Sequence, residues 1–251
     1  MNMETIVRKS LLNRSALGFL CINHVQGCSH GCLYPCYAFS MARSYGRVKS
    51  YEEWTAPRLV GNAGELLGRE LARLRTRPDR VHLSLTTDPF MYRQAEVGTL
   101  SLNLIAAINA RGIPVSVLSK GILPAELAGR DRFPEDNVYG ISIVSLSEEF
   151  RQRWEPGAAP YTERIAALRA LHDEGRRTRA HIEPYPTPNL CAQDLAELLE
   201  SVAFVDSIYF GGWNYSAAAK VFPDREGFYR ETLAGVRRFC EERGIGFEGR
   251  Q

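Results

Sequence analysis

The chain has 251 residues, 45% hydrophobic and 24% charged, enough to bury about 70% or more of its unfolded surface without disulfide staples. Thirty-one lysines and arginines against 29 aspartates and glutamates leave a formal charge of +2, which excludes a large global basic excess but not a local basic patch. The chain shows no charged-then-apolar leader and no run of about 18 apolar residues, so the expectation is a cytoplasmic protein that does not engage a membrane.

No repeat, low-complexity tract or composition break appears, so one domain is expected over 1–251, with 1–16 as an N-terminal extension and 216–251 as a C-terminal helix and tail. Residues 17–24 (LGFLCINH) read as a first strand that runs into a Gly/Cys-rich loop. AGELLGRELARL sets Leu67, Leu71 and Leu74 on one helical face, and VHLSLTT from Val81 is the next strand. A helix over 98–111 stopped by Gly112, a strand IPVSVLSK, a strand from Asn137 and a helix over 161–175 stopped by Gly175 follow. TRAHIEP is a strand, Asn189 is expected to cap a helix carrying Leu195, Leu198, Leu199 and Val202, and DSIYFGG is the last strand before a helix starting near Asp224.

About six β/α units predict an α/β fold with a parallel sheet, either open or rolled into a full or partial barrel. Strand alternation places Val81, Leu83 and Leu85 on one face and His82, Ser84, Thr86 and Asp88 on the other. A polar face of that kind suits a barrel interior, and in either architecture chemistry belongs at the C-terminal strand ends.

Cys28, Cys32 and Cys36 fall within nine residues, whereas Cys21, Cys191 and Cys240 are dispersed and read as packing residues. Gly27, Gly31 and Pro35 argue against a continuous helix through the cluster and for a loop wrapped around a compact object. Three converging thiolates suit an iron–sulfur cluster with one iron open to an exogenous ligand, or a zinc ion with His24 or His30 as fourth donor. Of the basic residues only Lys9, Lys49, Lys120 and Lys220 are lysine, which makes Lys120 at a strand end conspicuous.

The run GCSHGCLYPCYA after a first strand resembles the cluster loop of the radical S-adenosylmethionine (SAM) enzymes, and among them the spore photoproduct lyase-like group. TTDPF at 86–90, Lys120, the strand ISIVSL and RWEPGAAPYTERIAALRALHDEG at 153–175 resemble the same group in the same order. The cysteine gaps here are three and three, where the common pattern has three and two; Pro35 is the apparent insertion.

This resemblance implies a partial (β/α)6 barrel of the TIM type. It also implies a [4Fe-4S] cluster on Cys28, Cys32 and Cys36, and reductive cleavage of SAM to a 5′-deoxyadenosyl radical that abstracts hydrogen from a substrate. It nominates Tyr34 or Tyr37 beside the adenine, Thr86, Thr87 and Asp88 for the amino group, Lys120 for the carboxylate, Ser142 for the ribose and Glu155 for SAM or its loop. Ile182 and Pro184 would pack on adenine, and Glu183 would face substrate or SAM, with His181 an interior histidine on the same strand face. Tyr185, Trp213, Asn214 and Tyr215 would form the ceiling of a substrate pocket, and Gly211-Gly212 would alternatively cradle a phosphate.

A flavodoxin or ferredoxin would supply the electron. Photoproduct lyases carry a hydrogen-donor cysteine just before the position of Thr86, where this chain has Leu85. A small-molecule or nucleoside-like substrate is therefore expected ahead of a nucleic-acid lesion, and the Arg73, Arg75, Arg77 and Arg80 stretch is read as a solvated helix end. The alternative class is a non-catalytic barrel protein that binds zinc.

Overall fold

The computed structural model describes residues 3–15, 18–214 and 216–250. The elements up to the first long crossover are β1 (Thr5–Ile6), β2 (Leu12–Arg14), β3 (Leu20–Ile22), β4 (Val25–Gln26), α1 (Tyr37–Ser44), α2 (Tyr51–Thr55), β5 (Arg58–Val60) and α3 (Ala63–Ala72). They continue with β6 (Val81–Leu83), α4 (Ala95–Asn109), β7 (Val115–Ser119), a 3-10 turn (Ala125–Ala128), β8 (Val138–Ser142), α5 (Glu148–Trp154), α6 (Tyr161–Asp173) and β9 (Arg177–Tyr185). The last are α7 (Leu195–Ser201), β10 (Ser207–Gly212), α8 (Ala217–Lys220), α9 (Arg225–Arg243) and β11 (Gly246–Arg250).

Eight strands form one sheet in the order β11-β10-β9-β8-β7-β6-β3-β2. All neighbours are parallel except β2, which returns antiparallel along β3. Parallel neighbours need crossover connections, and the intervening helices supply them, so the expected α/β succession is observed. The sheet keeps two edges and is an open, partial barrel. Within the expected N-terminal extension, 1–16, β2 forms one edge of the large sheet, and β1 joins β5 and β4 in a second, three-stranded sheet.

One face of the large sheet carries Val81, Leu83, Val115, Val117, Ile141, Ala180, Ile182, Ile208 and Phe210. These are buried with Leu66, Leu67, Leu104, Ile108, Leu168, Leu171, Leu198 and Val236 from the helices in a single core. The opposite face holds the alternate residues, among them His82, Ser116, Ser142, Arg179, His181, Glu183 and Tyr209.

Several local expectations are corrected. β6 ends at Leu83 because Ser84 adopts φ 58°, a left-handed conformation that breaks the strand alternation, so Leu85 and Thr86 no longer continue its faces. α4 begins at Ala95 and not at residue 98. The cap of α7 is Asp194, whose carboxylate accepts from Ala196 N–H at 2.7 Å, whereas Asn189 donates to the Ala218 carbonyl. α9 does start near Asp224, whose carboxylate caps it by accepting from Gly227 N–H, and Gly175, at φ 73°, does end α6.

Candidate cofactor site at the strand ends

The cysteine loop leaves β4 through Gly27, where a left-handed φ of 90° coincides with a close approach: a Cβ there would lie 2.5 Å from the Trp54 carbonyl. The same carbonyl accepts from Cys28 N–H at 2.9 Å. Gly31, at φ 57°, makes the second turn; Tyr51 Oη then donates to the Cys32 carbonyl and Leu33 N–H to that of Trp154. Cys36 occupies the N-cap of α1, where its side chain caps no backbone N–H and no acidic residue stands in the first turn. The positive end of that helix therefore faces any anionic group held beside Cys36.

All three thiols are free and partly buried. Desolvation, then the Asp88 carboxylate and the neighbouring thiols, push Cys28 well above the ordinary thiol range; desolvation and Glu155 push Cys32 up to about 12. Thiols so placed ionise only with a cation among them, which is the donor chemistry of an iron–sulfur cluster or zinc. Among the described residues no group of three or more His, Cys, Asp or Glu stands at metal-binding distances.

Both histidines nominated as a fourth donor are engaged elsewhere. His24 is fully buried and shares a 2.7 Å hydrogen bond with Ser101 Oγ; burial, then Arg8, lower its pKa to about 3. His30 Nε2 accepts from Tyr92 N–H at 2.9 Å, which leaves the proton on Nδ1, 3.4 Å from Asp88 Oδ2. Burial outweighs the attraction of Asp88 and keeps this imidazole neutral.

Two buried carboxylates organise the rim. Asp88 accepts from Phe90 N–H, Ser119 Oγ and Lys120 N–H at 2.7 to 2.9 Å, and it faces His30. Its oxygens are thus turned to the protein, which redirects its expected role from ligand contact to fixing the end of β7. Glu155, fully buried, meets Arg164 Nη2 at 2.8 Å, Lys120 Nζ at 2.8 Å and the Tyr34 hydroxyl at 2.8 Å. Burial alone would raise its pKa; the charges of Lys120 and Arg164 overcome this and hold it below the usual carboxylate range. Arg164 escaped the sequence reading, although an arginine at the i+3 position of the stripe Tyr161, Leu168, Leu171 was a visible signal of a buried cation.

The two tyrosines separate clearly. Tyr34 is 7% exposed, edge-on to Trp213 at 5.2 Å, with Lys120 Nζ 5.5 Å from its ring centre. Tyr37 is 57% exposed and donates to the Leu85 carbonyl, bridging the cysteine loop and the segment after β6. Thr86 N–H and Oγ1 both donate to Asn23 Oδ1 at 2.9 Å, and Thr87 Oγ1 donates to the Gly27 carbonyl at 2.6 Å, so this pair clamps its loop to the loop of the cysteines. Asn23 is a further positioning residue that no motif flagged.

Ser142 pairs in register with His181 on the polar face. Glu183 leans over β10, where a Cβ on Gly211 would lie 2.5 Å from its Oε1. Pro184 is half-buried at the end of the same strand. Three expected contacts are corrected. Ile182 is fully buried on the helix side of the sheet, because strand alternation turns it away from His181 and Glu183. Tyr185 packs with Phe210 and Phe228 in the core, and Trp213 is enclosed by Tyr34, Phe150 and Trp154. Asn214 accepts from Arg225 Nη2 at 3.3 Å, and Tyr215 lies outside the described residues.

Gly157 seats the Glu155 segment against the cysteine loop: its N–H donates to the His30 carbonyl, and a Cβ would stand 2.2 Å from the Ser29 carbonyl. Gly157→Ala is therefore expected to destabilise the fold by about 1–3 kcal/mol and to lower retained iron; an unchanged melting temperature would contradict this packing.

Comparison with known proteins places this geometry. A family model described as the radical SAM superfamily matches residues 22–202. Uncharacterized proteins of Mycobacterium tuberculosis (strain H37Rv) and Mycobacterium bovis are each 25% identical, over 90% of this chain and 72% of theirs. Among solved structures, spore photoproduct lyase with dinucleoside spore photoproduct bound is 16% identical with a TM-score of 0.66. A doubly substituted form of that lyase, with AdoMet and the same dinucleoside, is 15% identical with a TM-score of 0.67. Both comparisons cover 97% of this chain and 80% of the other.

Proposed function

The chain belongs to the radical SAM superfamily, whose cofactors are a [4Fe-4S] cluster and SAM, and on that premise we propose that it is a lyase- or transferase-type enzyme whose cluster is held by Cys28, Cys32 and Cys36. When bound, the two cofactors supply a hydrogen-abstracting radical through reductive cleavage of SAM.

The chain's own residues prepare the site. The loop glycines turn the backbone that carries the three cysteines, and Cys36 stands at the N-terminus of α1. Tyr37, the exposed one of the two tyrosines, takes the aromatic position beside SAM, while Tyr34 serves the core. Lys120, at 16% side-chain exposure, presents a cation for the SAM carboxylate. Asp88 fixes its backbone, Glu155 holds its ammonium, and Arg164 balances the charge of that carboxylate. Thr86 and Thr87 bind the neighbouring loops together, so these hydroxyls position the site. Ser142, Glu183 and Pro184 border the same opening, the first two from the polar face of the sheet.

The substrate we propose is a small or nucleoside-like molecule on that polar face, with a flavodoxin or ferredoxin as electron donor. A nucleic-acid lesion is disfavoured because Leu85 supplies no thiol beside Thr86. No helix among the described residues is long and apolar enough to cross a membrane.

The observation that carries the reading is the glycine-turned loop of three thiols beside two histidines already committed to protein partners. Anaerobically reconstituted protein is expected to be brown, to hold about four irons per chain and to form 5′-deoxyadenosine with dithionite. Zinc without iron, under the same preparation, would favour the structural-metal alternative and overturn this one.

A further inference from the structure

Charge is distributed unevenly along this chain. Between Glu4 and Glu52 there is no aspartate or glutamate, while Arg8, Lys9, Arg14, Arg43, Arg47 and Lys49 all fall there. The whole chain is only +2, so the residues outside that stretch are net negative. The same stretch carries Cys28, Cys32 and Cys36. It also carries most of the large apolar side chains that the fold leaves in water. Among the described residues Val7, Phe19, Leu33, Tyr37, Met41 and Tyr45 stand exposed within it, and only Ile122 and Val221 outside it.

The two biases meet on α1. Its inner side is Ala38 and Ala42, buried with Val48 and Trp54, while Phe39 packs edge-on to Tyr51. Tyr37, Met41 and Tyr45 are spaced four apart and so follow one another along the outer side, with Met41 39% and Tyr45 69% exposed. Arg47 lies over the Tyr45 ring, 5.6 Å from its centre, and Arg8, Met41, Ala42 and Arg47 line one shallow cleft. Arg43 is exposed in the last turn of α1. Arg8 donates to the neutral Asn23 carbonyl, and burial, then Arg47, lower its pKa. Among the described residues none of Arg8, Arg43 and Arg47 enters an ion pair. Of the next carboxylates in the chain, Glu52 is exposed on α2 and Glu53 is held by Arg58 at 3.0 Å.

Aromatic, methionine and arginine side chains without a carboxylate, apolar at the centre and cationic at the rim, have the composition of a protein interface. Its position indicates what the partner does. Cys36 is the N-cap of α1, and at 1.5 Å rise per residue Met41 lies about 7.5 Å and Tyr45 about 13.5 Å along the axis from it. Electron transfer through protein slows steeply with distance, so a face on the helix that Cys36 begins is a working position for an electron carrier.

Resting on the proposed function above and deepening it, we propose that the outer face of α1, with Met41 and Tyr45 at its centre and Arg8, Arg43 and Arg47 around them, is the docking surface for an acidic flavodoxin. The dimethylbenzene edge of a flavin is aromatic and apolar and matches the thioether and the ring at the centre. Carboxylates around that edge meet the arginines. In the docked pair the reduced flavin loses one electron and the cluster on Cys28, Cys32 and Cys36 gains it. Tyr37, at the loop end of the same side, keeps its place beside SAM. Electron-transfer encounters are weak and bury less than about 1,200 Å², which one helix face and its rim can supply.

The test uses the anaerobically loaded full chain and a purified acidic flavodoxin. Calorimetric titration with the oxidised flavodoxin is expected to show one site per chain, with affinity falling at least about ten-fold between about 0.05 M and about 0.5 M salt as the charges are screened. Formation of 5′-deoxyadenosine is then driven by reduced flavodoxin or by dithionite. Arg43→Glu with Arg47→Glu is expected to lower flavodoxin affinity and the flavodoxin-driven rate at least about ten-fold. The dithionite-driven rate should stay at the wild-type value, which also shows that the variant is folded and loaded. Arg43→Lys with Arg47→Lys is expected to keep both rates. Arg237→Glu with Arg238→Glu, exposed on α9, changes the net charge equally and is expected to move neither. Met41→Ser with Tyr45→Ser should weaken flavodoxin binding and leave its salt dependence in place.

Unchanged flavodoxin affinity in the α1 charge variant, an equal loss in the α9 variant, or a ferredoxin that displaces flavodoxin from this face would overturn the proposal. So would a single-stranded oligonucleotide whose binding the α1 charge reversal abolishes while flavodoxin-driven turnover stays, since that assigns the face to nucleic acid. Protein that forms 5′-deoxyadenosine with dithionite and takes up no flavodoxin refutes this inference alone, whereas protein that cannot cleave SAM with dithionite refutes the reading beneath it.

Discussion

Cys32→Ala protein, reconstituted anaerobically beside the wild type, is expected to lose the brown chromophore and at least 100-fold of its 5′-deoxyadenosine formation. Losing an outer partner of a metal ligand costs roughly 10–100-fold, so losing a thiolate itself should exceed that. The reason lies in the loop. Cys32 sits between two turning glycines and the proline before Cys36, with its carbonyl held by Tyr51 Oη at 3.1 Å, so no neighbouring side chain can be drawn in as a replacement. His30 is held by Tyr92 N–H and Asp88, and His24 by Ser101. Cys191→Ser, by contrast, should keep the full iron content, because Cys191 lies beside Ser145 and Gln193, outside the loop. Wild-type activity in Cys32→Ala would remove this thiol from the ligand set.

The second large effect concerns stability. Glu155→Gln leaves Arg164, fully buried, and Lys120 without their shared counter-charge. Breaking a buried ion pair from one side costs about 3–5 kcal/mol, and the Tyr34 hydroxyl loses its charged acceptor in addition. The pH dependence has a defined sign. A carboxylate whose pKa is depressed in the folded state contributes stability that is fully present above its unfolded pKa, here 4.5, and that is lost as pH falls further. The difference in unfolding free energy between wild type and Glu155→Gln should therefore be complete at neutral pH and shrink progressively below about 4.5. A difference that stayed constant down to pH 2 would show that the loss comes from packing and not from charge.

Much of the fold was legible because its driving pattern repeats: each β-branched run followed by an apolar stripe with a glycine stop became a strand and a helix. The cysteine triad was legible because thiols do not cluster by chance in an apolar core. What escaped reading has a common cause: side-chain type does not state direction. Tyr34 and Tyr37 are chemically alike and lie on one loop, yet one is drawn inward by a buried carboxylate supplied from residue 155. Trp213 and Tyr185, which resemble rim aromatics in sequence, are claimed by the core because three other rings surround the first and two the second.

Ile182 was a different error, since the period of its own strand already turned it away from His181. The early end of β6 was invisible for yet another reason, a left-handed Ser84 where no glycine advertised it. Asp88 and Glu155 could be singled out in the sequence, but their partners, His30, Ser119 and Arg164, come from distant segments that only the fold brings together.

The open sheet carries a liability of its own. A closed barrel has no unpaired strand, whereas this one ends at β2 and β11, and an exposed edge is a template on which a second copy can add a strand. Here β2 offers only three residues, with Asn13 and Arg14 exposed, and β11 places exposed Glu248 between Phe247 and a glycine. Short, polar and charged edges pair poorly with another chain, so the protein can leave its sheet unclosed without recruiting copies of itself into an extended aggregate.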